Sequence, residues 1–171
     1  MMHLVLGGAR SGKSRFAEQC ARDSGKTLFY IATAEARDGE MQTRIAHHRE
    51  QRGAAWQLRE EPLLLSGAMA ELDAPGHCLL VDCLTLWLSN CLAAGRWEEL
   101  RATLLDTLPQ LAADVVLVSN EVGQGVVPMG ELNRRFVDES GRLHQDLATR
   151  CHRVTLVTAG LPLTLKEMNT A

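Results

Sequence analysis

The chain has 171 residues, of which 46% are hydrophobic and 23% are charged, and its formal net charge at pH 7 is −3. That length can build one well-buried domain and falls short of two ordinary ones, so we expect residues 1–171 to form a single domain. The acidic balance argues against a nucleic-acid-binding surface, which usually carries a marked excess of Lys and Arg.

Cysteine usage and hydropathy exclude further classes of protein. The five cysteines are odd in number and no two are spaced as C-x-x-C, so neither a disulfide framework nor a zinc site is indicated. Met1 to Leu6 is too short and uncharged for a secretory signal, and no apolar run is long enough to span a bilayer. We therefore expect a cytoplasmic protein with reduced thiols and no membrane span.

The first predicted element is a strand over His3–Leu6, and a glycine-rich turn follows it directly. In this pattern small residues let backbone N–H groups close around phosphates, while the lysine reaches the β and γ oxygens and the serine hydroxyl can ligate Mg²⁺. A helix over Lys13–Ser24 adds its partial positive charge. The segment predicts nucleoside triphosphate binding, because it matches G-x-x-x-x-G-K-[ST] through Gly7, Gly8, Ala9, Arg10, Ser11, Gly12, Lys13 and Ser14.

The second predicted strand, Thr27–Ala32, precedes a helix over Asp38–Gln51 that contains two adjacent histidines. Helical spacing places His47 with Arg44 on a polar face, whereas His48 continues an apolar stripe. A neutral imidazole can attack phosphorus and form a covalent intermediate. Spacing alone nevertheless favours a solvated surface histidine, so both interpretations of His47 stay open.

The remaining elements alternate in the manner of βαβ units, which predicts an α/β fold with a largely parallel sheet. Gly123–Gly130 is rich in glycine and is predicted to be a flexible loop. The helix at Leu84 carries Trp87, which we expect in the core rather than at a subunit contact or a ligand-facing surface. In chain order the predicted elements are an edge strand Trp56–Arg59, a helix Pro62–Glu71 with Pro62 in its first turn, a strand His77–Asp82, helices Leu84–Ala93 and Trp97–Leu108, a strand Asp114–Ser119, a helix Glu131–Arg150 and a strand Arg153–Thr158.

Polar residues follow several of these strands, at the edge where open parallel sheets bind ligands. Asp82 ends its strand and is predicted to hold Mg²⁺ beside Ser14, with capping of the next helix as the alternative. Glu121 follows Asn120 at the end of another strand. It suits either a cap for the following segment or a substrate contact, and the sequence does not decide between them.

Six blocks together resemble one enzyme family. They are G-G-A-R-S-G-K-S at 7–14, Y-I-A-T at 30–33, R-I-A-H-H-R at 44–49, Trp56 with E-E-P at 60–62, V-D-C-L-T at 81–85, and S-N-E-V-G at 119–123 with V-P at 127–128. In this order they are similar to the bifunctional adenosylcobinamide kinase/adenosylcobinamide-phosphate guanylyltransferase family of cobalamin biosynthesis. The resemblance runs from about residue 2 to about residue 166.

The resemblance implies a transferase of P-loop NTPase type (RecA-like), with three layers and a mostly parallel central sheet. It implies phosphorylation of adenosylcobinamide with ATP or GTP, followed by transfer of GMP from GTP to adenosylcobinamide phosphate, which releases pyrophosphate. Mg²⁺ is the implied cofactor, the corrinoid is the implied partner, and a homo-oligomer, with a trimer among the expected states, is the implied assembly. Two alternatives stay open: a small-metabolite kinase without guanylyl transfer, and a non-enzymatic module that binds nucleotide only to set its conformation.

The resemblance also implies roles for individual residues. His47 would carry GMP covalently, and Lys13 would stabilise the charge on the transferring group. Some relatives have Glu in place of Asp82, which leaves the carboxylate but makes direct metal contact less certain. The nucleotide site would be lined by Gly7, Gly8, Ala9, Arg10, Ser11, Gly12, Lys13, Ser14, Thr33, Ala34, Glu35, His48, Arg49, Glu50, Gln51, Glu60 and Asp82, with Ser14 and Asp82 at the metal.

Overall fold

The computed structural model describes residues 1–34 and 55–168. Within these ranges the strands are β1 (Met2–Gly7), β2 (Thr27–Ala32), β3 (Trp56–Glu60), β4 (His77–Asp82), β5 (Asp114–Asn120), β6 (Arg153–Thr158) and β7 (Leu161–Glu167). The α-helices are α1 (Lys13–Asp23), α2 (Leu65–Glu71), α3 (Leu84–Ala93), α4 (Trp97–Thr107) and α5 (Glu131–Arg150), with a 3₁₀ turn at Leu108–Gln110.

One seven-stranded sheet contains all these strands in the order β3-β2-β4-β5-β1-β6-β7. Every neighbouring pair is parallel except β6 and β7. The carboxyl ends of β1 to β6 therefore lie at one edge of the sheet. There Gly7 of β1 is in register with Asn120 of β5, and Asp82 of β4 is in register with Val118. The predicted α/β fold with a mostly parallel sheet is confirmed.

Helices cover both faces of the sheet, because successive side chains of a strand point to opposite sides and both sets are apolar. On one face, Val5 and Val118 pack with Ala17 of α1. On the other face, a larger core includes residues of α3, α4 and α5. Trp87 and Trp97 lie there fully buried in a T-shaped pair with ring centroids 5.5 Å apart. The core position predicted for Trp87 is confirmed.

Most predicted boundaries agree with the structure to within one residue. Three strands, Thr27–Ala32, His77–Asp82 and Arg153–Thr158, and two helices, Leu84–Ala93 and Glu131–Arg150, occupy the predicted ranges. The predicted edge strand at Trp56 is also found, as β3 at one margin of the sheet. The predicted helix over 38–51 lies outside the described residues.

Pro62 does not lie in the first turn of its helix, as the sequence had suggested. Helix α2 begins at Leu65. The carboxylate of Glu61 accepts hydrogen bonds from the backbone N–H groups of Leu63 and Leu64, at 3.1 and 2.7 Å. These bonds hold a non-helical turn ahead of α2, so the helix begins three residues later than predicted.

Strand β7 was not predicted. It pairs antiparallel with β6 after a tight turn in which Ala159 and Gly160 have positive φ values of 52° and 78°. Pro162 lies opposite Val157 near the start of this edge strand, a position that tolerates a residue without an N–H group. Because Pro162 interrupts the apolar pattern, the alternation of Leu163 and Leu165 that follows it was not recognised as a strand.

Across residues 1–34 and 55–168, no helix combines the length and the apolar character needed to cross a membrane.

A buried histidine on β1 makes the free energy of unfolding depend on pH. His3 is fully buried, its Nε2 lies 2.9 Å from the Thr155 hydroxyl, and its Nδ1 has no hydrogen-bond partner within the described residues. Burial lowers the pKa of His3 to about 4. The native state therefore keeps this ring neutral at pH values at which the unfolded chain binds a proton.

We predict that the free energy of unfolding falls as the pH drops from about 6.5 towards 4, because protons then bind preferentially to the unfolded chain. His3→Gln should unfold at lower urea concentration at pH 7 but lose part of this pH dependence. Burial also lowers the pKa of His144, so the variant keeps a residual slope. Urea unfolding at pH 7, 6 and 5 measures both effects, and parallel pH profiles for the two proteins would contradict the assignment to His3.

Candidate active site

The glycine-rich turn leaves β1 at a position where only glycine fits. A Cβ atom on Gly7 would lie 2.4 Å from the Ser11 hydroxyl oxygen and 2.6 Å from the carbonyl oxygen of Val157. Gly12, immediately before α1, has φ of 92°, a left-handed conformation that glycine adopts without steric cost. Both glycines of the sequence pattern are thus required by the path of the chain.

Hydrogen bonds close the turn and tie it to the neighbouring strands. The Ser11 N–H donates to the Gly8 carbonyl at 3.3 Å, and the Ser11 carbonyl accepts from the Gly160 N–H at 2.8 Å. On the other side, the Glu121 N–H donates to the Gly7 carbonyl at 3.0 Å. The turn is therefore anchored to the segments that follow both β5 and β6.

Lys13 begins helix α1 and lies over the turn. Its ammonium group donates to the Gly8 carbonyl at 3.2 Å, and the residue is only 9% exposed. The first turn of α1 contains no acidic residue. A helix N-terminus with a buried ammonium and no competing carboxylate is suited to bind a polyphosphate.

Asp82 ends β4 at the same edge of the sheet. Its Oδ2 accepts a hydrogen bond from the Tyr30 hydroxyl at 2.9 Å. Cys83, rather than Asp82, occupies the N-cap position of α3, and no side chain caps that helix. The capping alternative for Asp82 is therefore not supported. Its Oδ1 has no hydrogen-bond partner within residues 1–34 and 55–168.

Thr33 has a structural contact that the sequence did not reveal. Its fully buried hydroxyl donates to the Cys83 carbonyl at 2.7 Å and accepts from the Cys83 N–H at 2.9 Å. Asn90 of α3 donates from its amide to the Thr33 carbonyl at 2.9 Å. This hydroxyl thus joins the end of β2 to the end of β4. The predicted contact of Thr33 with nucleotide stays a prediction.

The other predicted lining residues are distributed unevenly. Glu60 is exposed at the end of β3, and Ala34 is partly buried after β2. Four strand spacings separate β3 from β1, which places Glu60 roughly 19 Å from the turn, at about 4.8 Å per strand. Glu60 is thus too far away to touch the same phosphates as Lys13. Glu35, His47, His48, Arg49, Glu50 and Gln51 lie outside the described residues, and their roles stay predictions.

A polar network beneath β5 was not anticipated. His144 of α5 is buried, and its Nε2 lies 2.8 Å from the Ser119 hydroxyl oxygen. The Ser119 hydroxyl oxygen lies 3.3 Å from the Thr85 hydroxyl oxygen. The Thr85 oxygen also accepts a hydrogen bond from the Asn120 N–H at 2.7 Å. The only sequence signal was the spacing of Ser140, Leu143, His144 and Leu147, which places His144 on the buried face of its helix.

Glu121 joins this network to the turn. Its Oε2 lies 3.9 Å from His144 Nδ1, and its Oε1 accepts from the Gly123 N–H at 2.7 Å. Burial lowers the pKa of His144, whereas the Glu121 carboxylate raises it by a smaller amount. The carboxylate of Glu121 therefore caps the segment after β5, which agrees with one of its two predicted roles.

A preformed metal centre is not found in the part of the chain that the structure describes. No group of three or more His, Cys, Asp or Glu side chains is arranged there to hold an ion. Mg²⁺ at nucleotide sites is usually held by one or two protein oxygens together with phosphates and water. The Asp82 carboxylate and the partly exposed Ser14 fit that requirement.

Comparison with protein families gives one match over nearly the whole chain. Residues 3–165 match the model of the family described as cobinamide kinase / cobinamide phosphate guanyltransferase. The chain is 56% identical to the bifunctional adenosylcobalamin biosynthesis protein CobP of Pseudomonas aeruginosa, over 97% of the chain and 98% of that protein. It is 38% identical to the corresponding protein CobU of Salmonella typhimurium, over 97% of the chain and all of that protein.

Solved structures support the fold alone. The flagellar accessory protein FlaH from Methanocaldococcus jannaschii superposes with a TM-score of 0.54 at 11% identity, over 98% of this chain and 78% of that one. A second solved structure, an ATPase domain, superposes with a TM-score of 0.50 at 13% identity, over 91% of this chain and 68% of that one. Both neighbours have the P-loop NTPase fold, which confirms the fold predicted from the sequence.

The steric limit at Gly7 leads to a prediction. Gly7→Ala forces the turn to move, because its new methyl group would overlap the Val157 carbonyl, which is backbone. We expect a loss of about 1–3 kcal/mol in the free energy of unfolding, typical of overpacking, and loss of nucleotide binding. Urea unfolding and titration with a fluorescent GTP analogue measure these effects.

Gly67→Ala is the matched control, since a Cβ at this position in α2 meets nothing within 4 Å. This variant should bind nucleotide normally and unfold at the same urea concentration or a higher one. Normal nucleotide binding by Gly7→Ala would contradict the steric argument.

Proposed function

The chain belongs to the cobinamide kinase / cobinamide phosphate guanyltransferase family, and we propose that a single nucleotide site at the carboxyl edge of its sheet serves both reactions. The observation that carries this proposal is the closed turn between β1 and α1, with the Lys13 ammonium held over it. Within the described residues this is the only segment that matches a phosphate-binding pattern.

The first reaction is a phosphoryl transfer from ATP or GTP to the hydroxyl group of adenosylcobinamide. The hydroxyl oxygen attacks the γ-phosphorus, the bond from that phosphorus to the bridging oxygen breaks, the nucleoside diphosphate leaves, and the hydroxyl proton passes to water. Lys13 and the N–H groups of the turn stabilise the charge on the transferring group. The protein contributes chiefly positioning and electrostatic stabilisation.

The second reaction is a guanylyl transfer in two displacements at the α-phosphorus of GTP. A ring nitrogen of His47 attacks, and pyrophosphate leaves. A phosphate oxygen of adenosylcobinamide phosphate then displaces His47, which gives adenosylcobinamide-GDP. The covalent step lets pyrophosphate depart before the bulky corrinoid phosphate occupies the site.

Asp82 and Ser14 are the residues that would hold Mg²⁺. The ion would neutralise phosphate charge when bound. Among residues 1–34 and 55–168, Oδ1 of Asp82 has no hydrogen-bond partner, and this oxygen together with the position of Asp82 beside β5 supports the assignment, while Tyr30 holds the other carboxylate oxygen. The Asp82 side chain thus has one oxygen for orientation and one for the ion or its water shell.

Further properties belong to the same proposal. Residues 1–171 form one domain, and the protein acts in the cytoplasm, where ATP and GTP are available and its five free cysteines stay reduced. The family resemblance supports a homo-oligomer, and a trimer is the state to test first by light scattering.

The covalent step predicts labelling of the protein by GTP. Wild-type protein incubated with GTP carrying ³²P at the α-phosphate should retain an acid-labile, alkali-stable label after denaturing electrophoresis, since a phosphoramidate has that stability. His47→Ala should lose the label, whereas the adjacent His48→Ala should keep it at saturating GTP, because His48 is expected to line the site without carrying GMP. Absence of label on folded, GTP-binding wild-type protein would favour a kinase without guanylyl transfer.

Removal of the Asp82 charge should weaken the binding of Mg²⁺. Asp82→Asn should raise the Mg²⁺ concentration for half-maximal phosphoryl transfer by about 10–100-fold, the usual cost of losing a carboxylate at a metal site. Tyr30→Phe keeps the carboxylate and removes one hydrogen bond to it, so its shift should be smaller. Mg²⁺ titrations of initial rate separate the two, and equal shifts would contradict a role for Asp82 at the ion.

A further inference from the structure

Asn90 of α3 binds two segments that leave the sheet at its carboxyl edge. Its amide donates one hydrogen bond to the carbonyl oxygen of Thr33, at 2.9 Å, and another to that of Pro62, at 3.0 Å. Thr33 follows β2 and Pro62 follows β3, so one side chain joins the exits of two strands. An amide NH₂ group carries two N–H bonds, and both are engaged here.

Helix α3 contacts the turn after β3 at a second point. Trp87 is fully buried, and its indole N–H donates to the carbonyl oxygen of Leu63 at 2.9 Å. Side chains three positions apart lie on the same face of a helix, which explains why Trp87 and Asn90 contact consecutive carbonyl groups of one turn. Asn90 differs from Trp87 in that it reaches Thr33 as well.

Thr33 holds the main chain at the end of β4, where Asp82 lies. The Thr33 N–H donates to the Asp82 carbonyl at 3.4 Å, and the Thr33 hydroxyl bonds to both the N–H and the carbonyl of Cys83. The Asp82 side chain is held separately, by the Tyr30 hydroxyl. The direction in which the Asp82 carboxylate leaves its strand therefore depends on where Thr33 lies.

We propose that Asn90 is a positioning residue for Mg²⁺ binding and that it acts on Asp82 through Thr33. This inference rests on the proposed function, which assigns Mg²⁺ to Asp82 and Ser14. The amide of Asn90 fixes the Thr33 carbonyl, and the N–H and hydroxyl of Thr33 fix the end of β4. The carboxylate is thereby presented at the edge of the sheet in one orientation.

The contact needs the chemistry of an amide. The carbonyl oxygens of Thr33 and Pro62 both carry partial negative charge, so a group with two donors is required to hold them at one point. A carboxylate of the same shape has no N–H group, and an aliphatic side chain leaves both carbonyls without this bond. Either replacement would release Thr33 from α3.

The test measures the binding of Mg²⁺ rather than turnover. A fluorescent α,β-methylene analogue of GTP does not react at its α-phosphorus, so its Kd can be followed as Mg²⁺ is added. The readout is the Mg²⁺ concentration at which half of the change in Kd has occurred. Asn90→Asp, which keeps the shape of the side chain and removes both N–H groups, should raise this concentration about tenfold. Asn90→Leu, which adds no charge, should also raise it.

A double-mutant cycle tests the route through Thr33. Thr33→Val removes the hydroxyl that holds Cys83 and keeps the shape of the side chain. Because Asn90 acts through Thr33, adding Asn90→Leu to Thr33→Val should raise the Mg²⁺ concentration by much less than Asn90→Leu does alone. Two shifts that simply multiply would overturn this route.

Trp87→Phe is the matched control. It removes the hydrogen bond from the same helix to Leu63 and leaves the Asn90 amide in place. This variant should unfold at a lower urea concentration than wild type, because it loses a buried donor and part of a buried ring, but it should keep the wild-type dependence on Mg²⁺. A rise equal to that of Asn90→Leu would overturn the proposal, since general destabilisation would then explain both.

Asp82→Asn separates failure of this proposal from failure of the proposed function. If Asp82→Asn raises the Mg²⁺ concentration and neither Asn90 variant does, the ion is held at Asp82 and Asn90 does not position it. If Asp82→Asn leaves the concentration unchanged, the assignment of Mg²⁺ to Asp82 fails, and the inference about Asn90 fails with it.

Discussion

The site depends on a close approach of backbone to backbone at Gly7. Val157 of β6 and Ser11 of the turn leave no space for a Cβ atom there, and the Gly7 carbonyl is occupied by the Glu121 N–H. This contact fixes where the chain leaves β1 and so where helix α1 begins. The N-terminus of α1, with Lys13 at its start, is thereby aimed at the position that the phosphates of a nucleotide would take.

Around this contact the parallel sheet arranges groups of different chemistry along one edge. Asp82 lies two strands from Gly7, Asn120 lies on the strand between them, and Glu60 lies at the far margin. By strand spacing Glu60 lies roughly 19 Å from the turn, and its contact with nucleotide stays a prediction. The buried network of His144, Ser119 and Thr85 supports β5, and the loop to α5 begins at Glu121.

Most of the strands and helices could be predicted from the sequence, because local residue patterns encode them. Buried parallel strands are short apolar runs, and the glycine-rich turn has fixed spacing, so β1 to β6 and the start of α1 at Lys13 were predicted correctly. The antiparallel β7 was missed since its signal is interrupted by Pro162 and depends on a turn with two positive φ values. The contacts of Thr33 with Cys83 and of His144 with Ser119 join residues 50 and 25 positions apart, which no local pattern reveals.

The central claim is that both reactions use one nucleotide site. The most direct measurement titrates the non-hydrolysable ATP analogue AMP-PNP into wild-type protein, first to obtain its Kd and then as an inhibitor of self-labelling by α-labelled GTP. If the site is shared, AMP-PNP should inhibit competitively with an inhibition constant equal to that Kd. Label that persists when AMP-PNP saturates its site would show that guanylyl transfer occurs elsewhere and would contradict the account.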